Sequence, residues 1–325
     1  MKKYIAILLV AAMATLGISA CRKENSNKET KVQKDSDIKV VTTIFPEYDW
    51  VRQIAGEEAD QMDITMLLDN GVDLHSYQPT AEDIMKVSDC DLFVYVGGES
   101  DAWVDDALKQ AKNKDMQVVD LLDVLGNNAK EEEVIEGMEP EEEEEEPEYD
   151  EHVWLSVKNA EVLSKAIADA LEKVDPDHKD IYQENASAYS EKLKDLDAKY
   201  QEVVDGASQK TLLFGDRFPF RYLVDDYGLS YYAAFVGCSA ESEASFDTIS
   251  FLANKVDELG LKDIMAIENS NQKIAKTIIE NTKEKNQKIL TLDSMQSITS
   301  DDVKNGTTYL SVMEKNLEVL KEALQ

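Results

Sequence analysis

The chain has 325 residues and carries 67 Asp and Glu residues against 34 Lys and Arg, which gives a formal net charge of −33. An acidic excess of this size excludes nucleic acid as a partner, because the neutralisation of phosphates requires Lys and Arg. The length exceeds what a single hydrophobic core normally serves, so we expect two lobes.

The chain begins with features typical of export. Residues 1–20 contain an uncharged apolar run at 5–16 that is too short for a permanent membrane-spanning helix. Small residues then lead directly to Cys21, an ending that resembles the lipobox of bacterial lipoproteins and predicts a lipid on the Cys21 thiol. The alternative is an ordinary signal peptide in which Cys21 is incidental. Residues 21–37 are polar and predict a flexible tether.

Strands and helices alternate through the next part of the chain, which predicts parallel βαβ units. The continuous apolar strand at residues 92–96 is typical of a sheet that is covered on both faces. We assign residues 38–176 to an N-terminal α/β lobe. Its predicted strands are 38–44, 62–68, 92–96 and 116–122, and its predicted helices include 81–87, 101–111 and 157–173.

A long helix and a second α/β lobe follow. Residues 179–205 contain helix formers without Gly or Pro, so they predict a helix of roughly 40 Å. We take 177–207 as a stiff linking helix and 208–325 as a C-terminal lobe. The predicted strands of this lobe are 211–214, 229–235, 264–267 and 288–292, and its last helix is 308–324.

An acidic loop interrupts the first lobe at residues 130–151, with six consecutive glutamates at 141–146. Like charges at this density repel one another and disfavour a packed structure. The loop is either a weak collector of metal ions or simply a solvated segment.

The two cysteines beyond Cys21 are Cys90 and Cys238, which lie in different predicted lobes. They either form a disulfide or are two buried thiols, and the sequence has no C-x-x-C metal or redox motif.

The chain contains three histidines. His75 lies in GVDLHSYQPT (residues 71–80), and His152 lies in DEHVWLSVKNA (residues 150–160). These segments resemble G-x-D-P-H-x-Y-E-P-T and D-P-H-x-W-L-x-P-x-N-A of the metal-binding solute-binding lipoproteins of zinc and manganese ABC transporters, the ZnuA-like family. The resemblance extends over essentially the whole chain after the tether. His178 matches no ligand of that family, and we expect it at the surface.

The resemblance implies a divalent metal ion held between the lobes by four side chains. His75 and His152 would supply two of them. Asp216 would be the third, provided that one extra residue precedes the Tyr227-Gly228-Leu229 segment. Asp293, at the end of a later strand, would be the fourth.

Both carboxylates also have structural alternatives. Asp216 could cap a helix or pair with a neighbouring arginine, and Asp293 could cap a helix. Glu241, Glu243 and Glu268 lie near strand ends of the second lobe, where they would orient the ligands or substitute for one of them.

Two imidazoles and two carboxylates suit zinc, manganese or iron(II), and not copper(I). The predicted function is therefore capture of Zn²⁺ and its delivery to the permease and ATPase of an ABC importer, with Mn²⁺ or Fe²⁺ as the alternative cargo. We expect a monomer anchored by Cys21 on the extracytoplasmic face of the cell membrane. The alternatives are a zinc hydrolase and a surface adhesin. Because the sequence has no HExxH, GxSxG or Gly-rich phosphate loop, we predict no catalytic residue.

Overall fold

The computed structural model describes residues 38–139, 148–239 and 243–325. The predicted signal peptide, Cys21, the tether, the six-glutamate run and Glu241 lie outside the described residues. In the described part of the chain, none of the helices combines the length and the apolar character needed to cross a membrane.

The first lobe is built on a parallel four-stranded sheet in the order β2-β1-β3-β4. Consecutive residues of its central strands are buried, because helices cover both faces of the sheet. The strands are β1 (Ile38–Thr42), β2 (Met62–Met66), β3 (Leu92–Tyr95) and β4 (Gln117–Asp120). The helices that follow the strands are α1 (Phe45–Ala55), α2 (Ala81–Asp89), α3 (Val104–Lys109) and α4 (Leu121–Leu125).

Two helices connect the lobes. Helix α5 (Val157–Val174) begins where the Ser156 hydroxyl accepts a hydrogen bond from the backbone of Asn159, and it ends before Pro176. Helix α6 (Lys179–Asp205) then runs for 27 residues. One face of α6 is buried at intervals of about one or two turns and packs against α1 and α5. The predicted long helix is therefore present, and it lies along the molecule as a packed element.

The second lobe has a parallel sheet in the order β6-β5-β7-β8. The last helix packs on α1, α6 and β8, so it contacts both lobes. The strands are β5 (Thr211–Phe218), β6 (Ser230–Val236), β7 (Asp263–Ile267) and β8 (Lys288–Leu292). The helices are α7 (Arg221–Tyr227), α8 (Phe246–Leu259), α9 (Lys273–Asn281), α10 (Ser300–Lys304) and α11 (Tyr309–Ala323).

Strand β5 differs from the expectation. It continues to Phe218, and its register to β6 shifts between Phe214 and Arg217. Gly215 lies in this irregular part, where a Cβ atom would be 2.5 Å from the Cα atom of Ala275 in α9. The predicted strand end at residue 214 is therefore wrong, because Gly215 lets the strand bulge beneath α9 and continue. Asp216 lies within the strand and not in a loop after it.

Buried hydrogen bonds join the two lobes. The indole Nε1 of Trp154 donates to the main-chain oxygen of Ser294 at 2.8 Å, and the hydroxyl of Tyr309 donates to the main-chain oxygen of Trp154 at 2.7 Å. The hydroxyl of Tyr222 donates to the main-chain oxygen of Asp150 at 2.9 Å. These contacts surround His152, so the segment that carries this residue is positioned by both lobes.

Candidate metal centre between the lobes

His75 is presented by a short 3-10 turn after strand β2. The carboxylate of Asp73 accepts a hydrogen bond from the backbone N–H of His75 at 3.0 Å, and Leu74 anchors the turn with only 1% of its surface exposed. The Nδ1 atom of His75 lies 2.9 Å from the Ser100 hydroxyl and 3.4 Å from Oε2 of Glu151. Because Nδ1 has these partners, Nε2 is the ring nitrogen left to bind an ion.

His152 is held in the same way by its own segment. The Asp150 carboxylate accepts a hydrogen bond from the backbone N–H of His152 at 2.8 Å and lies 3.0 Å from its Nδ1 atom. The ring has no exposed surface. A carboxylate behind a histidine fixes the tautomer and the orientation of the ring, as is usual for metal-binding histidines.

The two Nε2 atoms face each other at 3.1 Å. Nitrogen atoms bound to a tetrahedral zinc ion at ~2.0–2.1 Å lie about 3.4 Å apart, so the observed separation fits a shared ion closely. Two neutral nitrogens that approach with their lone pairs repel each other unless a proton or a cation lies between them. The two facing nitrogens are therefore suited to bind a cation between them.

Burial lowers the pKa of His152 well below its usual range, and the electrostatic effects of the neighbouring His75 and Arg217 lower it further. His152 is therefore neutral at pH 7, which is the form that a metal ion requires of its ligand.

A third potential ligand atom comes from Cys238. The ligand atoms of His75, His152 and Cys238 all lie within 4.8 Å of one another. Cys238 is the second residue after β6, and its backbone N–H donates to Oε1 of Glu132 at 3.0 Å. Gly237 makes this approach possible, since a Cβ atom there would be 3.0 Å from Cε1 of His152 and 2.9 Å from a main-chain oxygen of β5.

Both described cysteines are free thiols, so they do not form the disulfide that the sequence left open. Cys90 is buried, and its Sγ atom lies 3.2 Å from the main-chain oxygen of Val87. Cys238 is half-buried, and burial together with the charge of Glu132 raises the pKa of its thiol well above the usual range. The sequence reasoning missed Cys238 because it considered cysteines only in pairs. The available signal was a Gly-Cys dipeptide at the end of an apolar strand.

The predicted carboxylate ligands Asp216 and Asp293 are not part of this three-residue group. The carboxylate of Asp216 accepts hydrogen bonds from the backbone N–H groups of Arg217 at 3.0 Å and Ile267 at 3.5 Å. It lines a cleft of about 370 Å³ that both lobes form. The carboxylate of Asp293 accepts a hydrogen bond from the backbone N–H of Met295 at 2.8 Å, so it stabilises a local turn.

The remaining candidate acids have different surroundings. Glu268 accepts hydrogen bonds from the backbone and the hydroxyl of Ser294, both at 2.7 Å, and from the backbone of Gln296 at 3.3 Å. Glu243 is exposed and pairs with Lys273 at 2.8 Å.

Gln296 extends this hydrogen-bond network to the histidine pair. Its Nε2 atom lies 3.3 Å from Nε2 of His152 and 3.2 Å from the Ser294 hydroxyl. Its Oε1 atom is buried without a hydrogen-bond partner, and the residue is 5% exposed. Glu268, Ser294 and Gln296 therefore form a chain of contacts that ends at His152.

Arg217 and Asp73 form an ion pair that links the second lobe to the turn carrying His75. Both residues line the interlobe cleft. Because the two charges compensate each other, this pair would add little net charge beside an ion bound by the histidines.

The chain resembles known proteins over most of its length. Residues 40–323 match the family ZnuA, described as zinc-uptake complex component A, periplasmic. The zinc-binding lipoprotein AdcA of Streptococcus pneumoniae (strain ATCC BAA-255 / R6) is 34% identical over 97% of this chain, which spans 60% of the length of that relative. The high-affinity zinc uptake system protein ZnuA of Bacillus subtilis (strain 168) is 31% identical over 99% of this chain and 98% of its own length.

The solved structures include the Zn(II)-bound ZnuA-like domain of Streptococcus pneumoniae AdcA. It is 32% identical to this chain and superposes with a TM-score of 0.69, covering 89% of this chain and 99% of that domain. The predicted fold of two parallel-sheet α/β lobes with one long helix is therefore confirmed. With two family histidine motifs converging between these lobes, the chain belongs to the ZnuA family.

Proposed function

We propose that this protein captures Zn²⁺ outside the cytoplasm and delivers it to the permease and ATPase of an ABC importer. The observation that carries the proposal is the approach of the Nε2 atoms of His75 and His152 to 3.1 Å between the lobes. Each ring is oriented through Nδ1, and the free nitrogens converge on one point. Nitrogen atoms that converge in this way can bind a metal ion as the transported ligand.

The relatives support this cargo. AdcA of Streptococcus pneumoniae is named a zinc-binding lipoprotein, and ZnuA of Bacillus subtilis is named a high-affinity zinc uptake protein. Imidazole nitrogens bind zinc more tightly than manganese, in keeping with the Irving–Williams order. Zinc is therefore favoured over the manganese alternative, and the family's role in uptake favours binding over the hydrolase alternative.

Location and architecture complete the proposal. Cys21 would carry a lipid that holds the protein at the extracytoplasmic face of the membrane, and residues 22–37 would tether the folded part. Residues 38–176 and 208–325 would act as the two metal-binding lobes, joined by the linking helix 177–207. The protein would deliver the ion as a monomer.

Zinc titration of untagged, metal-free protein tests the function. We expect one tight zinc site per chain in calorimetry with a competing chelator, and weaker binding of manganese at the same site. Absence of tight zinc binding would refute the proposal. Tighter binding of manganese than of zinc would show that manganese is the transported metal.

A further inference from the structure

We propose that Cys238 binds the zinc ion as a thiolate, so that the cargo is held by His75, His152 and Cys238. This inference rests on the proposed function, since it names the ligands of the same site. It departs from the carboxylate ligands that the family resemblance implies. The observation behind it is that the Sγ atom lies within 4.8 Å of one imidazole nitrogen of each histidine.

The geometry requires little rearrangement. Around a tetrahedral zinc ion, with Zn–N bonds of ~2.0–2.1 Å and Zn–S bonds of ~2.3 Å, neighbouring ligand atoms lie about 3.3–3.6 Å apart. The two nitrogens, 3.1 Å apart, would need to separate by only a few tenths of an ångström to reach this spacing. The sulfur would need to move by about 1 Å at most, which a side-chain rotation or a small shift of the loop after β6 can supply.

The surroundings of Cys238 direct it towards the histidines. Its backbone N–H is fixed by the Glu132 carboxylate, and Gly237 allows the chain to pass next to the ring of His152. Cys90 has a different environment near Val87 and is not available as a disulfide partner. When zinc binds, the S–H bond breaks, the sulfur keeps the electron pair to form the Zn–S bond, and the proton leaves to solvent.

Gln296 is the candidate for a fourth ligand, because its side-chain amide lies 3.3 Å from Nε2 of His152. This side chain is nine-tenths or more buried, and its Oε1 atom has no hydrogen-bond partner although the amide lies beside Nε2 of His152. The oxygen and nitrogen of an amide exchange places by a half-turn of the group. In the turned orientation Oε1 would lie beside Nε2 of His152, within reach of an ion bound there.

A thiolate also accounts for metal choice. Sulfur ligands favour zinc and disfavour manganese, which prefers oxygen ligands. Two neutral imidazoles and one thiolate leave one positive charge on the zinc site, and the carboxylates of Asp150 and Glu151 behind the rings offset this charge.

Cobalt substitution tests the ligand directly. Co²⁺ bound to wild-type protein should show visible d–d bands and a near-ultraviolet sulfur-to-cobalt charge-transfer band. Cys238→Ser should lose the charge-transfer band while still binding cobalt, and the matched control Cys90→Ser should keep it. Bound cobalt without this band in the wild type would overturn the thiolate ligand and leave the proposed function intact. A protein that binds neither cobalt nor zinc would refute the function itself.

Zinc affinity provides the second readout. Cys238→Ala should weaken zinc binding by at least about 100-fold and manganese binding far less. Asp216→Ala and Asp293→Ala should each change zinc affinity by less than about tenfold. If either Asp variant loses zinc binding while Cys238→Ala keeps it, the third ligand is a carboxylate and the inference is wrong. Circular dichroism confirms that each variant is folded.

Discussion

At the scale of single residues, the metal centre depends on partners that orient the ligands. Asp150 holds Nδ1 of His152, while Ser100 and Glu151 hold Nδ1 of His75. The tautomer and the rotamer of each ring are therefore fixed with Nε2 towards the site before an ion binds. This preorganisation reduces the entropy cost of capturing an ion.

Replacing either ligand histidine tests this arrangement. We expect His75→Ala and His152→Ala each to weaken zinc binding by at least about 100-fold and to abolish the thermal stabilisation that zinc gives. Calorimetry and thermal unfolding with and without zinc measure both effects. The matched control is His178→Ala, because His178 is 40% exposed and contacts Asp175 at 2.6 Å, outside the metal-binding group. Equal losses in all three variants would contradict the assignment.

A buried carboxylate near the site gives the apoprotein a predictable pH dependence. Asp101 is 3% exposed, and only its Oδ2 atom accepts hydrogen bonds, from the backbone N–H groups of Val96 and Gly97. Burial raises the pKa of Asp101 to about 7, although those two hydrogen bonds oppose the shift. In the unfolded chain an Asp titrates near ~3.9. The folded state therefore binds more protons between these values, so the stability that this residue contributes is fully present below the unfolded pKa and is lost as the pH rises to the folded pKa.

Asp101→Asn should remove this contribution. We expect the variant to be more stable than the wild type at pH 8, and its free energy of unfolding to rise less as the pH falls from 8 to 5. The difference in slope should approach ~1.4 kcal/mol per pH unit below the folded pKa, between about pH 5 and 7, and should vanish above it. Urea unfolding of the metal-free proteins at several pH values measures it. Identical slopes for the two proteins would show that Asp101 does not titrate in this range.

At the scale of elements, four of the site groups lie towards the carboxyl ends of parallel strands, while His152 lies in the loop before α5. His75 follows β2, Cys238 follows β6, Glu268 follows β7 and Gln296 follows β8. In a parallel sheet these ends share one edge, where loops can converge on a ligand. The two lobes bring two such edges together, and the metal centre lies between them.

The approach of the loop after β6 to the metal centre depends on Gly237. Gly237→Ala should lower zinc affinity, because the new Cβ atom would press against the His152 ring and a main-chain oxygen of Phe218 at distances of about 3 Å. We expect a loss on the order of tenfold or more, measured by chelator competition. The control is Gly206→Ala, where the closest contact of a Cβ atom is an ordinary 3.4 Å. Unchanged affinity in Gly237→Ala would show that the loop after β6 adapts freely.

At the scale of the whole molecule, α6 and α11 pack together and bind both lobes into one body. The Tyr200 hydroxyl on α6 donates to the main-chain oxygen of Met313 on α11 at 2.7 Å. Tyr309, the first residue of α11, donates from its hydroxyl to Trp154 and from its backbone to Asp49 at 3.0 Å. Because these bonds are buried, opening the lobes would expose polar groups that have no other partner. Zinc capture should therefore rely on local movement of the loops around the site more than on a large closing motion of the two lobes.

Tyr309→Phe tests the coupling between the lobes. Removal of the hydroxyl leaves the main-chain oxygen of Trp154 buried without its partner, so the free energy of unfolding should fall by about 1–3 kcal/mol. Urea unfolding of the metal-free protein measures the loss. The control Tyr149→Phe alters a tyrosine that is 51% exposed and should stay within about 0.5 kcal/mol of the wild type. A loss no larger than the control's would show that this bond does not join the lobes.

The acidic run should be dispensable for the tight zinc site. Replacing the six glutamates at 141–146 with serine should leave one tight zinc per chain, because the metal-binding group lies elsewhere. If the loop collects metal, weak additional binding should disappear in calorimetry, and if it is only solvated, the titration should not change at all. Less than one tight zinc per chain would mean that the run supplies a ligand.

Local pattern alone determined much of this protein. The strand and helix alternation predicted two α/β lobes, and the stretch without Gly or Pro predicted α6 with its bounds. His75 and His152 were found because each lies in an extended motif, and tertiary structure then placed their Nε2 atoms at 3.1 Å. These features could be predicted because periodicity, helix breakers and motif spacing act over short stretches of chain.

Only the tertiary structure decided which other side chains approach the pair. Cys238 lies 86 residues after His152 in the chain, and nothing local indicates that the two would be neighbours. Their proximity follows from the sheet order β6-β5-β7-β8, from the docking of the lobes through Trp154 and Tyr309, and from the space left by Gly237. The bulge that keeps Asp216 within β5 depends in turn on the packing of α9 against Gly215. Contacts between distant segments depend on how whole elements pack, so they cannot be deduced from residue type and spacing along one segment.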